Sequence, residues 1–309
     1  MENYHIIDST QDDMASLSVV MPSILDDVGV LLKNADLFFR YIPIRNIYVV
    51  SPDNVREKIT SLKESRLIFV NENEFCDVKR IRELYSLRTS ANLGHFGWYV
   101  QQFIKMEFSR FTHDNYYLIW DSDTIPLKFV NMFADDGKPY FDMKTEYYPA
   151  YFDTINRILP GITKAVNKSF ISEHMIIRSE YMREMILEIE ALSCLEGDNF
   201  QEKIINAIDA DDLSKSGFSE FETYGNYILA RHEGSYILRD WHSLRQGGRF
   251  YSDVSQIDDQ TSCWLSSKYD AISLEKWHNP SIFAKIVCSR FFQKIFPPEI
   301  LDSVIFRRF

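Results

Sequence analysis

Tyr116-Tyr117-Leu118-Ile119-Trp120-Asp121-Ser122-Asp123 is the stretch that decides the fold. Five apolar or aromatic residues closed by a polar triplet predict a short strand buried on both faces. Three similar runs precede it. Leu17 to Ser23 (LSVVMPS) is ended by Pro22, Asn46 to Ser51 (NIYVVS) stops at Pro52-Asp53, and Arg66 to Asn71 (RLIFVN) stands alone. Helical patterns cover 26–41, 55–63 and 97–111 between and after them. Buried strands alternating with helices predict an α/β fold with a mostly parallel central sheet flanked by helices. Ligands on such sheets gather at the carboxyl ends of the strands. Here those ends are Pro22-Ser23, Ser51-Pro52-Asp53, Asn71-Glu72 and Asp121-Ser122-Asp123.

The second half is less regular. Residues 169–178 (SFISEHMIIR) predict a strand running into a helix over 180–192. The acid-rich segment 196–212 reads as solvated surface, 218–230 as a helix, and 235–241 as a strand before a Gly247-Gly248 turn. No repeat or Pro/Gly/Ser-rich linker divides the 309 residues, so one continuous domain is expected.

The chain carries 34 basic and 45 acidic residues, a net charge of −11. A general basic surface for nucleic acid is excluded. Any phosphate ligand needs a locally recruited cation. The acidic pair at the end of the fourth strand offers one. In an extended chain positions i and i+2 point the same way, so Asp121 and Asp123 are expected to converge, and a cation between them relieves their repulsion. Hard carboxylate oxygens suit Mn²⁺ or Mg²⁺, which also hold phosphates. The plainer alternative is a turn in which Asp121 caps local backbone.

Cys76, Cys194, Cys263 and Cys288 form no CxxC pair, which argues against a disulfide scaffold and for a reducing compartment. The polar start MENYHIIDSTQDD is no signal peptide, and no apolar run is long enough to span a bilayer. A cytoplasmic location is expected. From Lys285 onward, five basic and two acidic residues give +3 and leave −14 for the remainder. Over 284–295 a helix would put Lys285, Ser289, Arg290, Gln293 and Lys294 on one half, with Ala284, Val287, Cys288, Phe291, Phe292 and Ile295 on the other. That pattern suits a helix on an anionic membrane, and equally one packed on the domain.

LSVVMPS, NIYVVSPD, RTSANLGHFGWYVQQFIKM and YYLIWDSDTIPLK, in this order, resemble the nucleotide-sugar half of GT-A fold glycosyltransferases. GWYVQQFIK, WDSDTIPL, SEHMIIR and SEFETYGNY also resemble a bacterial polysaccharide-biosynthesis family known mainly as a domain of unknown function. The resemblance implies a GT-A type Rossmann-like sheet. A nucleotide-sugar part would cover 17–130, an acceptor and site-completing part 131–284, and a basic helical tail 285–309. It implies a metal-dependent transfer of sugar from a nucleotide diphosphate sugar, expected to be a UDP-sugar, to a glycan or lipid-linked saccharide. A nucleotidyltransferase or a non-catalytic binding module are the alternatives. MPSILDD lacks the Gly-rich basic loop that the former would favour.

Residue by residue, the resemblance makes Asp121 and Asp123 the metal- and diphosphate-binding pair, Asp123 as direct ligand. Pro22 and Ser23 would line the nucleotide pocket, and Arg88, Trp98 and Gln102 would frame the donor. A C-terminal histidine often completes the metal site. His242, before the Gly247-Gly248 turn, is preferred here over His278. Arg245 and Arg249 could balance the leaving diphosphate. For an inverting reaction Glu220, at the start of a helix, is the expected base and Glu173 its rival. Ser219 and Glu222 have capping-box spacing, which leaves Glu220 freer for chemistry. The chain has 23 Phe, 17 Tyr and 5 Trp. Six of these aromatics cluster between Tyr140 and Phe152, and Tyr147-Tyr148 is the expected acceptor platform, with core packing explaining the rest.

Overall fold

A computed structural model describes residues 17–24, 28–89, 95–275 and 280–306. The four sequence-predicted strands appear as β1 (Leu17–Pro22), β2 (Ile44–Ser51), β3 (Leu67–Asn71) and β4 (Tyr116–Trp120). β5 (Thr124–Pro126), β6 (Tyr140–Met143), β7 (His174–Arg178), β8 (Ile237–Asp240), β9 (Ser243–Leu244) and β10 (Ala271–Ser273) follow. The central sheet runs β3-β2-β1-β4-β7. Its first four strands are parallel, and β7 lies antiparallel to β4, with Trp120 opposite His174. The expected α/β class with a mostly parallel sheet therefore holds.

The helices Val28–Tyr41, Val78–Arg88, Phe96–Phe111 and Ser179–Glu190 bury apolar faces in the main core. Phe96–Phe111 is central among them, with Tyr99, Phe103, Met106 and Phe108 all excluded from water. Polar caps fix where helices begin. Asp77 accepts from the Arg80 amide and Ser219 from the Glu222 amide. A second core forms where β5-β10-β9 make a small sheet packed by Leu265, Val287 and Leu301.

Three expectations are corrected. Segment 196–212 is not merely solvated surface: it contains the helix Phe200–Ala207, in which Phe200, Ile204 and Ile205 enter the core and Glu202 meets Arg80 at 3.0 Å. The acidic composition masked three apolar residues at helical spacing. The tail is not one amphipathic helix but three short ones, Ile282–Val287, Arg290–Gln293 and Ile300–Phe306. Ser289 breaks the first run by capping the second. Asp121-Ser122-Asp123 is not extended: the Thr124 amide donates to the Asp121 carbonyl at 3.0 Å and closes a turn.

Candidate active site

The carboxyl ends of β1 to β4 lie along one sheet edge, as parallel topology requires. Side chains stitch them together. Ser51 Oγ donates to the Ser23 carbonyl at 2.5 Å, and Ser122 Oγ to Ser23 Oγ at 3.1 Å. Pro22 and Ser23 line a slot of about 170 Å³ whose walls include Val50, Pro52, Phe96 and Val100, with Glu72, Arg82 and Gln101 as polar members.

Beyond the turn, Lys105 occupies the space between two carboxylates. Its Nζ is 3.0 Å from Asp121 Oδ1 and 3.0 Å from Glu220 Oε1. Burial opposes the ammonium charge, but Asp121 and Glu220 outweigh it and hold the Lys105 pKa above its ordinary value. Gln102, one turn earlier on the same helix, accepts from the Glu220 amide at 2.9 Å. Helix Phe96–Phe111 thus fixes both ends of Glu220. Ser219 caps the helix Glu220–Arg231 and Glu222 is tied to Ser169 and Asn226, whereas Glu220, expected to be the freer of the two, is itself buried against Lys105.

Glu173 sits beside the turn, because its carbonyl accepts from the Asp121 amide at 2.9 Å. Its carboxylate is buried and receives Lys144 at 2.8 Å, Ser243 at 2.7 Å and Trp241 Nε1 at 2.7 Å. Burial alone would raise its pKa; Lys144 and Arg245 prevail and bring it down to about 2. A carboxylate so committed makes a weak proton acceptor. Glu275 shows the opposite balance. Burial first, then Glu173, Asp121 and Glu146, push it up to about 7 against the pull of Arg245. Arg245 is ion-paired with Glu146 and feels Glu173, Glu275 and Asp121.

On the other side of Arg245 lies an open cleft of about 450 Å³ lined by Glu146, Tyr147, Tyr148, Tyr151, Ile171, Lys215 and Ser216. Tyr147 is 60% exposed, and its ring stacks on Phe152 at 5.7 Å with Lys164 nearby. Tyr151 packs between Tyr148 and Trp98. Of the aromatic cluster, Phe141 is wholly core and Tyr147 faces water, the mixture that the sequence suggested.

Several expected site residues lie elsewhere. Arg88 does not frame the slot: its guanidinium caps the carbonyls of Asn206 and Ile208 at the end of helix Phe200–Ala207. Trp98 lines neither the slot nor the cleft and stacks on Tyr151 at 6.3 Å, and Gln102 serves Glu220. His242 is not brought to Asp121 and Asp123. It is exposed and lies 4.0 Å from Asp270 Oδ2. The register of the small sheet explains this: Ser273 pairs with Thr124, whereas Ala271 pairs with both Pro126 and Ser243, which separates His242 from Asp123 by about 13 Å along the strands. His278 lies outside the described residues.

The carboxylates of Asp121 and Asp123 are hard oxygen donors of the kind a divalent cation takes, but the turn removes the extended geometry on which their expected convergence rested. Among the described residues no third His, Cys, Asp or Glu joins them in a metal-binding group, and Asp121 Oδ1 is shared with Lys105.

Sequence reasoning missed Lys105, Lys144, Glu146 and Glu275. A lysine on the apolar face of GWYVQQFIKM was the one available signal; the other three are joined to the site only by chain pairing far along the sequence.

The fold and this edge define an α/β protein with its candidate site at the carboxyl ends of the strands. The chain belongs to a family of unknown function, DUF6492, whose model matches residues 14–305. No curated protein matches it. Among solved structures it is similar to mouse xyloside xylosyltransferase 1 in apo form, at 14% identity and TM-score 0.47, covering 84% of this chain and 97% of that one. It is similar also to the galactosyltransferase LgtC in complex with donor and acceptor sugar analogues, at 11% identity and TM-score 0.43, covering 93% and 99%. A third is the glycosyltransferase GlyE of Streptococcus pneumoniae, at 10% and 0.40, covering 95% and 64%.

Proposed function

We propose that this protein is a glycosyltransferase that moves a sugar from a nucleotide diphosphate sugar, a UDP-sugar by preference, to a saccharide or lipid-linked saccharide acceptor in bacterial surface polysaccharide synthesis. The observation that carries the reading is that the Asp121–Asp123 turn is tied to the narrow apolar slot by the Ser122–Ser23 hydrogen bond and coupled to the open aromatic cleft through Arg245, which pairs with Glu146 of the cleft and feels Asp121. The slot suits a planar base, and the tyrosine-lined cleft suits the C–H faces of a sugar.

Asp121 and Asp123 would hold Mn²⁺ or Mg²⁺, which when bound neutralises the diphosphate. Lys105 and Arg245 add fixed positive charge beside the turn. In an inverting transfer the acceptor oxygen bonds to the anomeric carbon as the bond to the diphosphate breaks, and the hydroxyl proton passes to Glu220. Tyr147 and Tyr148 would bear the acceptor. The reaction would take place at the cytoplasmic face of the membrane, where the lipid-linked acceptor is held.

A thermal-shift assay tests this. UDP with Mn²⁺ should raise the melting temperature, and Asp123→Ala should remove the metal-dependent part. No shift with any nucleoside diphosphate would sink the donor reading.

A further inference from the structure

We infer that the two short helices Ile282–Val287 and Arg290–Gln293 form a docking face for an anionic lipid surface. The face is not the one that helical periodicity suggested. Ala284 and Val287 turn inward into the second core, and Cys288 and Phe292 pack against it. Outside remain Ile286, Phe291, Ile295 and Phe296, of which Phe291 is 74% exposed. Two isoleucines and two phenylalanines exposed within eleven residues form an unusual concentration of apolar surface for water to face.

Basic residues alternate with them in sequence. Lys285, Arg290 and Lys294 are all exposed. Arg290 is engaged by Asp258 and Gln260, whereas Lys285 and Lys294 have no acidic partner among the described residues. The chain N-terminal to Lys285 carries −14, so an anionic membrane repels the body and attracts this face. Charge thereby selects both the partner and the orientation: apolar side chains enter the headgroup boundary while lysines meet lipid phosphates. Among the described residues no helix is long and apolar enough to cross a membrane, so the contact is one of surface docking.

This inference builds on the membrane-face reading above but not on the donor chemistry. The test is co-sedimentation of the full chain, without nucleotide, with vesicles of phosphatidylcholine alone or mixed with phosphatidylglycerol. Binding should require the anionic lipid and weaken with salt. Lys294→Ala should lower the partition coefficient about fivefold. Phe291→Glu with Ile295→Glu in one chain should abolish binding while keeping the wild-type melting temperature. Equal sedimentation with neutral vesicles, no sedimentation with anionic ones, or an unaffected double variant overturns the inference. So does a dimer that the double variant dissolves without any lipid binding. A chain that binds UDP but ignores vesicles fails here alone; one that binds vesicles but no nucleotide fails the donor reading alone.

Discussion

Lys105 and Glu220 form a buried ion pair at 3.0 Å, and the same ammonium reaches Asp121. One lysine therefore ties the acidic turn of β4 to the helix that carries the proposed base. Removing one partner of a buried pair leaves the other charge without compensation. Lys105→Met should cost about 3 to 5 kcal/mol in denaturant unfolding. Adding Glu220→Gln should recover much of that loss. Simple additivity of the two variants would show that the pair is not coupled.

Glu220→Gln alone probes the chemistry. It keeps the shape and the amide contact with Gln102. Transfer should fall between about a hundredfold and ten-thousandfold, with UDP affinity changed little. Wild-type turnover in this variant would remove Glu220 from the reaction.

Glu173 predicts a pH effect. Its folded pKa of about 2 lies below the ordinary 4.5, because Lys144 and Arg245 overcome burial. A depressed carboxylate contributes stability that is fully present above its unfolded pKa and is lost as pH falls through the folded one. Its contribution should fade between about pH 4.5 and pH 2, by roughly 3 kcal/mol. Glu173→Gln should flatten that part of the acid-unfolding curve; an unchanged acid limb would contradict the assignment.

Gly248 packs where no side chain fits. A Cβ there would stand 2.4 Å from the Glu275 carbonyl oxygen, which is backbone and cannot swing aside. Gly248→Ala should cost about 1 to 3 kcal/mol and, by moving Arg245 and Glu275, should slow transfer as well. Thermal unfolding and a turnover assay on the same sample check both effects.

Much of this architecture was legible in the sequence because local signals agreed. β1 to β4 are continuous apolar runs with polar stops, and Ser219-x-x-Glu222 marks its helix start without ambiguity. The candidate site was legible only where its residues are local. Asp121 and Asp123 stand together in sequence, and Glu220 follows its cap. Arg88 misled because a basic residue near a predicted donor segment says nothing of the helix end it caps, 118 to 120 positions later. His242 misled because a strand of two residues left its register unreadable. Lys144 and Glu275 carry no motif at all. Their role comes from the pairing of distant strands, which composition and periodicity do not encode.

The small sheet has one more consequence. β10 is inserted between β5 and β9, and the Leu274 amide donates to the Asp123 carbonyl at 2.9 Å. The acidic turn is thus braced by residues that leave the ribosome about 150 positions after it. A growing chain can assemble the parallel strands early, yet it cannot finish this edge until Leu274 has emerged. The brace on the acidic turn therefore forms long after the turn itself, close in time to the helices that pack the second core.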